Sequence, residues 1–147
     1  MGRFCLHLSI FLAIPLAYLL TVFSDGLEGL AGTIPTAATG KKSTPLHHAF
    51  IRSLILGTSP EGYISLCRVI STARQPKYEA ITAPLIILAG EDDKTAPMEA
   101  SEAILKNYGT SQSNKSIQKL SGIGHWHCIE APQEVERIIE QFLETIS

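Results

Sequence analysis

Two short stretches in the last third of the chain hold residue types that move protons. One is Gly90-Glu91-Asp92-Asp93-Lys94-Thr95-Ala96-Pro97, in which acids follow directly on an apolar run. The other is Gly122-Ile123-Gly124-His125-Trp126-His127-Cys128-Ile129-Glu130-Ala131-Pro132. A carboxylate beside an imidazole fixes its tautomer and stabilises the imidazolium formed when the ring takes a proton. Such an imidazole can in turn activate a serine hydroxyl, which is unreactive while it keeps its proton. An acid after one strand, a histidine after the next and then a helix is the second half of a Ser…Asp…His order. A different chemistry is open to His125, His127 and Cys128, whose nitrogen and sulfur donors suit zinc, but the sequence offers no evident fourth ligand.

The elements around these stretches are those that such a site needs. Leu85-Ile86-Ile87-Leu88-Ala89-Gly90 is a short unbroken apolar run ending in glycine, which predicts a buried parallel strand. The acids then lie at its carboxyl end, where open α/β sheets place their sites. Met98–Tyr108 reads as a helix closed by Gly109, and Ser116–Leu120 as a second strand after a polar loop. The glycines on either side of Ile123 allow a tight turn that brings His125 over the strand ends. Pro132 stands at the favoured first position of a final helix, with Val135, Ile138, Ile139, Phe142 and Ile146 as its inward stripe.

The first half reads as helices and turns. Phe4–Phe23 contains no Asp, Glu, Lys or Arg, and Arg3 precedes it. A run of about 20 apolar residues can span a bilayer, and a basic start before an apolar stretch also fits a secretory signal. A buried core segment or a start-site artefact would give the same pattern. Ser24-Asp25 opens a helical stretch to Ala38, with Leu27, Leu30, Ala31 and Ile34 at helical spacing and Pro35 as an interruption. Thr36–Pro45 is a loop by composition. Its Thr39-Gly40-Lys41-Lys42-Ser43 approaches a phosphate-binding loop but fails G-x-x-x-x-G-K-[ST], since Pro35 and Lys42 fall where glycine and Ser/Thr are required. Pro45–Leu56 predicts a helix with Leu46, Phe50, Leu54 and Ile55 on one side. Ser59-Pro60-Glu61 caps another, carrying Tyr63, Leu66, Cys67, Ile70 and Ala73 to about Arg74.

Composition narrows the function classes. The 147 residues are 45% hydrophobic and 18% charged, with net charge −2 and mean hydropathy +0.16, which excludes a disordered chain. Scattered basic residues give neither a nucleic-acid footprint nor a polybasic membrane patch. Cys5, Cys67 and Cys128 are odd in number and far apart, against a disulfide framework.

"APLIILAGEDDKTAP" and "GIGHWHCIEAPQEV" resemble the acid and histidine motifs of the α/β-hydrolase fold family. "SDGLEGLAGTIP" and "TSPEGYISLCRVIS" are similar to the cap of its 3-oxoadipate enol-lactonase and esterase group. The resemblance runs from about Thr21 to the end. It implies an α/β fold that is incomplete: a helical cap over 24–80, then the last two parallel strands and their helices over 81–147, with 1–23 as a separate apolar segment. By position relative to Gly90 and Pro97 it selects Asp93 rather than Asp92 as the orienting acid. By position relative to Glu130 and Pro132 it selects His125 rather than His127 as the general base. Each residue taken singly has a plainer reading, Asp93 as a helix cap and His125 as a loop histidine.

The implied reaction is serine-triad hydrolysis of a small-molecule carboxylic ester or enol-lactone, without cofactor or metal and without nucleic acid. The chain contains no G-x-S-x-G elbow. Gly57-Thr58-Ser59-Pro60-Glu61 lacks the second glycine and opens a helix rather than following a buried strand. The expectation is therefore a truncated, inactive remnant of a triad enzyme. Two alternatives stand beside it: a non-catalytic interaction module anchored in a membrane through residues 4–23, and a cofactor-free haloperoxidase relative. Membrane or secretory placement follows if the apolar start is functional, and a cytoplasmic one, as in most of the family, if it is not.

Overall fold

A computed structural model describes residues 4–146. The chain divides into two units. The first comprises the chain up to Ala37 together with Pro45–Gln75, and it is helical. Its helices are α1 (Phe4–Ala37), α2 (Pro45–Leu56) and α3 (Pro60–Thr72), with α1 packed against both of the others. The break in α1 is at Gly26, whose φ of 66° lies in the left-handed region that glycine enters without a Cβ clash. Pro35 does not interrupt the helix as its type predicts. It stands in the last turn, where its missing N–H costs a single bond. Ser59 caps α3, its hydroxyl accepting from the Gly62 amide at 3.0 Å.

Leu30, Ala31, Ile34, Ile51, Ile55 and Cys67 form the buried side of this unit. The apolar stripes expected on α2 and α3 are only partly used. Ile51 and Ile55 face inward, one turn apart, while Leu46, Phe50, Leu66 and Ile70 are exposed. Within this unit α2 and α3 each pack on α1, and each buries only part of its apolar residues. The reading of Phe4–Phe23 as a membrane or secretory segment turns largely on side chains of residues 4–16, which lie outside the described residues. Among the described residues, no helix is long and apolar enough to cross a membrane.

The second unit comprises Ala38–Thr44 and the chain from Pro76 onward. It holds β1 (Leu85–Gly90), α4 (Met98–Asn107), β2 (Lys115–Leu120), α5 (His127–Glu130) and α6 (Pro132–Ile146). The strands are parallel and in register from Leu85 opposite Lys115 to Gly90 opposite Leu120. A parallel pair needs a crossover, and α4 supplies it while packing on both strands. Leu120, Ile123, Val135 and Ile138 form the core, with Ile86, Leu88 and Ala131 against them. Ile86 and Leu88 share a face because side chains alternate along a strand. Among the described residues β1 and β2 pair only with each other, so each keeps one edge without a strand partner. Along α6, Ile139, Leu143 and Ile146 are exposed.

Candidate active site

The three acids after β1 go to three different places. Glu91 is exposed, and its amide donates to the Leu120 carbonyl at 3.0 Å. The Asp92 carboxylate accepts from the Lys41 amide at 3.0 Å. Asp93 turns inward, its side chain 2% exposed. Its Oδ1 accepts from the amides of Thr95 and Ala96, both at 2.8 Å, a turn that fixes the carboxylate from its own following residues. Its Oδ2 lies 2.9 Å from Nδ1 of His125.

His125 reaches that position through a backbone built on close approach. Gly122 has φ +73°, which turns the chain out of β2. A Cβ on Gly90 would stand 2.4 Å from the carbonyl oxygens of Ile123 and Gly124, and one on Gly124 would stand 2.5 Å from the Gly40 nitrogen. The end of β1, the histidine loop and the Ala38–Thr44 segment therefore lie in direct backbone contact. The His125 amide donates to the Ala38 carbonyl at 2.7 Å.

His127 has another partner. Its Nε2 accepts from the Gly90 amide at 3.2 Å, which places the ring proton on Nδ1. The two imidazole centroids are 6.5 Å apart and tilted by 49°. With the His127 lone pair taken by an amide and Cys128 exposed, the His125-His127-Cys128 set does not converge, and no group of three potential ligands gathers among the described residues. The phosphate-loop likeness of Thr39–Ser43 dissolves in the same way. The amides of Gly40, Lys41, Lys42 and Ser43 donate to Glu130, Asp92, Gly122 and Gly40 respectively, so these four are already engaged within the protein.

Electrostatics follow from the contact. The hydrogen bond to Asp93 raises the His125 pKa, burial pulls it back, and the Asp93 and Glu130 charges add to the rise, which prevails. Burial pushes the Asp93 carboxyl up. The bond from His125, the Ala96 amide, the His125 charge and the Thr95 amide outweigh it and hold it below its ordinary value. Burial pushes His127 down. The raised His125 contributes stability that is fully present below its unfolded value and lost as pH rises through its folded value. The lowered Asp93 contributes stability present above its unfolded value and lost as pH falls through its folded one. Asp93→Asn is expected to lower the His125 titration midpoint, because the bond and charge that do most to raise it are lost while burial remains. Histidine ring NMR against pH measures this, and an unmoved midpoint would contradict it.

Sequence reasoning passed over the parts that hold the histidine loop in place. Ala38–Thr44 read as a connector, and Glu130 served only as a register mark. Its burial, at 7% exposed, is visible only in the fold.

No protein-family model matches the chain, and no curated protein matches it in sequence. Solved structures do match. A thermophilic esterase from Thermogutta terrifontis superposes with TM-score 0.78 at 19% identity, over 92% of this chain and 50% of its own. The enol-lactonase from Burkholderia xenovorans gives 0.76 at 20%, over 88% and 49%. A bromoperoxidase from Bacillus anthracis gives 0.74 at 17%, over 90% and 49%. The chain has half of an α/β-hydrolase fold. It spans about half the length of the solved structures it matches. Within this α/β-hydrolase half, the carboxyl end of β1 and the loop after β2 meet at the Asp93–His125 pair.

Proposed function

We propose that this chain supplies the acid and base of a serine-triad hydrolase acting on carboxylic esters or enol-lactones. Asp93 orients and His125 is the general base. The observation that carries the reading is the 2.9 Å contact between the buried Asp93 carboxylate and Nδ1 of a half-exposed His125. With Nδ1 engaged, Nε2 is the nitrogen that takes the serine proton as the hydroxyl oxygen adds to the carbonyl. It returns that proton to the departing alkoxide. The serine belongs to a segment outside these 147 residues, which contain no G-x-S-x-G. The unpartnered edge of β1 and the exposed apolar face of α6 are surfaces that the rest of such a sheet would cover.

The test is to extend the chain with the in-frame sequence upstream of Met1 and assay p-nitrophenyl esters and lactones. Turnover blocked by a serine-directed phosphonate supports the reading. An upstream sequence without an elbow, or an extended protein without turnover, overturns it in favour of a non-catalytic interaction module. The likeness to the bromoperoxidase favours a second reading of the same pair, a cofactor-free haloperoxidase, which bromination with peroxide and no ester turnover would select.

A further inference from the structure

We propose that Glu130 is a positioning residue for His125, acting through the backbone on both sides of it and through the Ala38–Thr44 segment. The inference rests on the reading of His125 as the base. Glu130 closes the short helix α5 and is buried, and among the described residues no basic side chain is bonded to it. Its Oε2 accepts from the Gly40 amide at 2.7 Å. The Gly124 amide reaches Oε1 at 3.2 Å and Oε2 at 3.1 Å, and the Trp126 amide reaches Oε1 at 3.1 Å. Three N–H donors thus take up the acceptor capacity of a carboxylate that burial would otherwise leave unsatisfied.

The identity of the donors is what matters. Gly124 and Trp126 flank His125, so the peptide units before and after the imidazole are anchored to one rigid group. Gly40, the third, lies 90 residues away along the chain. The segment it belongs to also accepts the His125 amide at Ala38. That segment stays in reach because Gly40 and Gly124 carry no Cβ: one on Gly40 would stand 2.3 Å from the Gly122 carbonyl oxygen. Glu130 therefore closes a ring through Gly40, Ala38, His125 and Gly124. The ring fixes the backbone on both sides of the imidazole that meets Asp93, the kind of support that a site held to within about 0.5 Å needs. The Glu130 charge also adds to the rise in the His125 pKa.

Histidine ring NMR of the full chain tests this without substrate, so it reads the same whether or not hydrolysis is found. In the wild type the His125 midpoint is expected above that of an ordinary histidine, and the Nδ1 proton bonded to Asp93 is expected far downfield. Glu130→Gln replaces one acceptor oxygen by an NH2 that faces amide donors. The expected result is a lowered His125 midpoint together with loss of the downfield proton, which removal of the Glu130 charge alone would not cause, with far-UV circular dichroism still native. A folded Glu130→Gln that keeps the downfield proton would overturn the proposal and leave Glu130 a purely structural group. Should Glu130→Gln not fold, amide hydrogen exchange of the wild type decides. The amides of Gly40, Gly124, His125 and Trp126 should be protected to a common degree, whereas exchange of Gly40 at the rate of an open loop would overturn the ring.

Discussion

Residues 1–147 by themselves are expected to hydrolyse p-nitrophenyl acetate no faster than buffer. The chain extended with a nucleophile-bearing half is expected to turn it over, and His125→Ala in that extended protein to lower kcat by about 10⁶-fold. The two expectations share a cause. A triad accelerates acyl transfer only as a unit, since the hydroxyl needs the imidazole to take its proton and the imidazole has no substrate-directed task without the hydroxyl. Loss of either one is therefore close to loss of all. On the transition-state scale, 10⁶-fold is about 8 kcal/mol. Asp93→Asn should be milder, about 10⁴-fold, because the base remains and only its tautomer and its imidazolium stabilisation suffer. Measured kcat values for the three proteins test the order. Phosphonate-sensitive turnover by residues 1–147 alone would contradict the first expectation, and an Asp93→Asn loss equal to that of His125→Ala would contradict the assigned roles.

Leu120→Ala is expected to be the most damaging single truncation in the second unit. Leu120 is completely buried, at the end of β2, where it meets Ile123, Val135 and Ile138. Burying a leucine contributes its transfer free energy, and removing it adds a cavity that the surroundings fill only in part, together about 2–5 kcal/mol. Whole domains are stable by only about 5–15 kcal/mol, and few side chains in this unit are fully buried, so the loss approaches the total. The same residue sits directly ahead of the Gly122 turn, so its core anchors the histidine loop. Ile139→Ala, one position along α6 from Ile138 but 41% exposed, should cost less than about 1 kcal/mol. Trp126 is the single tryptophan of the chain, and it lies in the histidine loop. Urea unfolding followed by its fluorescence therefore reports this unit alone. Equal shifts for the two variants would show that burial does not rank the positions.

The sequence by itself determined the two strands, the crossover helix and the last helix of the second unit, but not the short helix α5 between them. Leu85–Gly90 had the length and unbroken apolar character of a buried parallel strand. Pro132 and the spacing of Val135 and Ile138 set the last helix. These patterns are local, because strand and helix periods are written in consecutive residues. The resemblance of the two motifs named the fold half that the solved structures match. Residue type alone could not separate Asp92 from Asp93 or His125 from His127, and the choice of Asp93 and His125 rested on motif position read through the resemblance. Tertiary structure supplied the physical reason: the Thr95 and Ala96 amides turn Asp93 inward, while Lys41 claims Asp92 and Gly90 claims His127. In α2 and α3 the tertiary partners also chose which apolar residues to bury, leaving Leu46, Phe50, Leu66 and Ile70 outside. The Ala38–Thr44 segment and Glu130 were the least legible parts. Their meaning lies in backbone amides that meet a carboxylate 90 residues further along. A main-chain N–H looks the same at every residue of a sequence, so only the folded chain shows which of them a buried acid will hold.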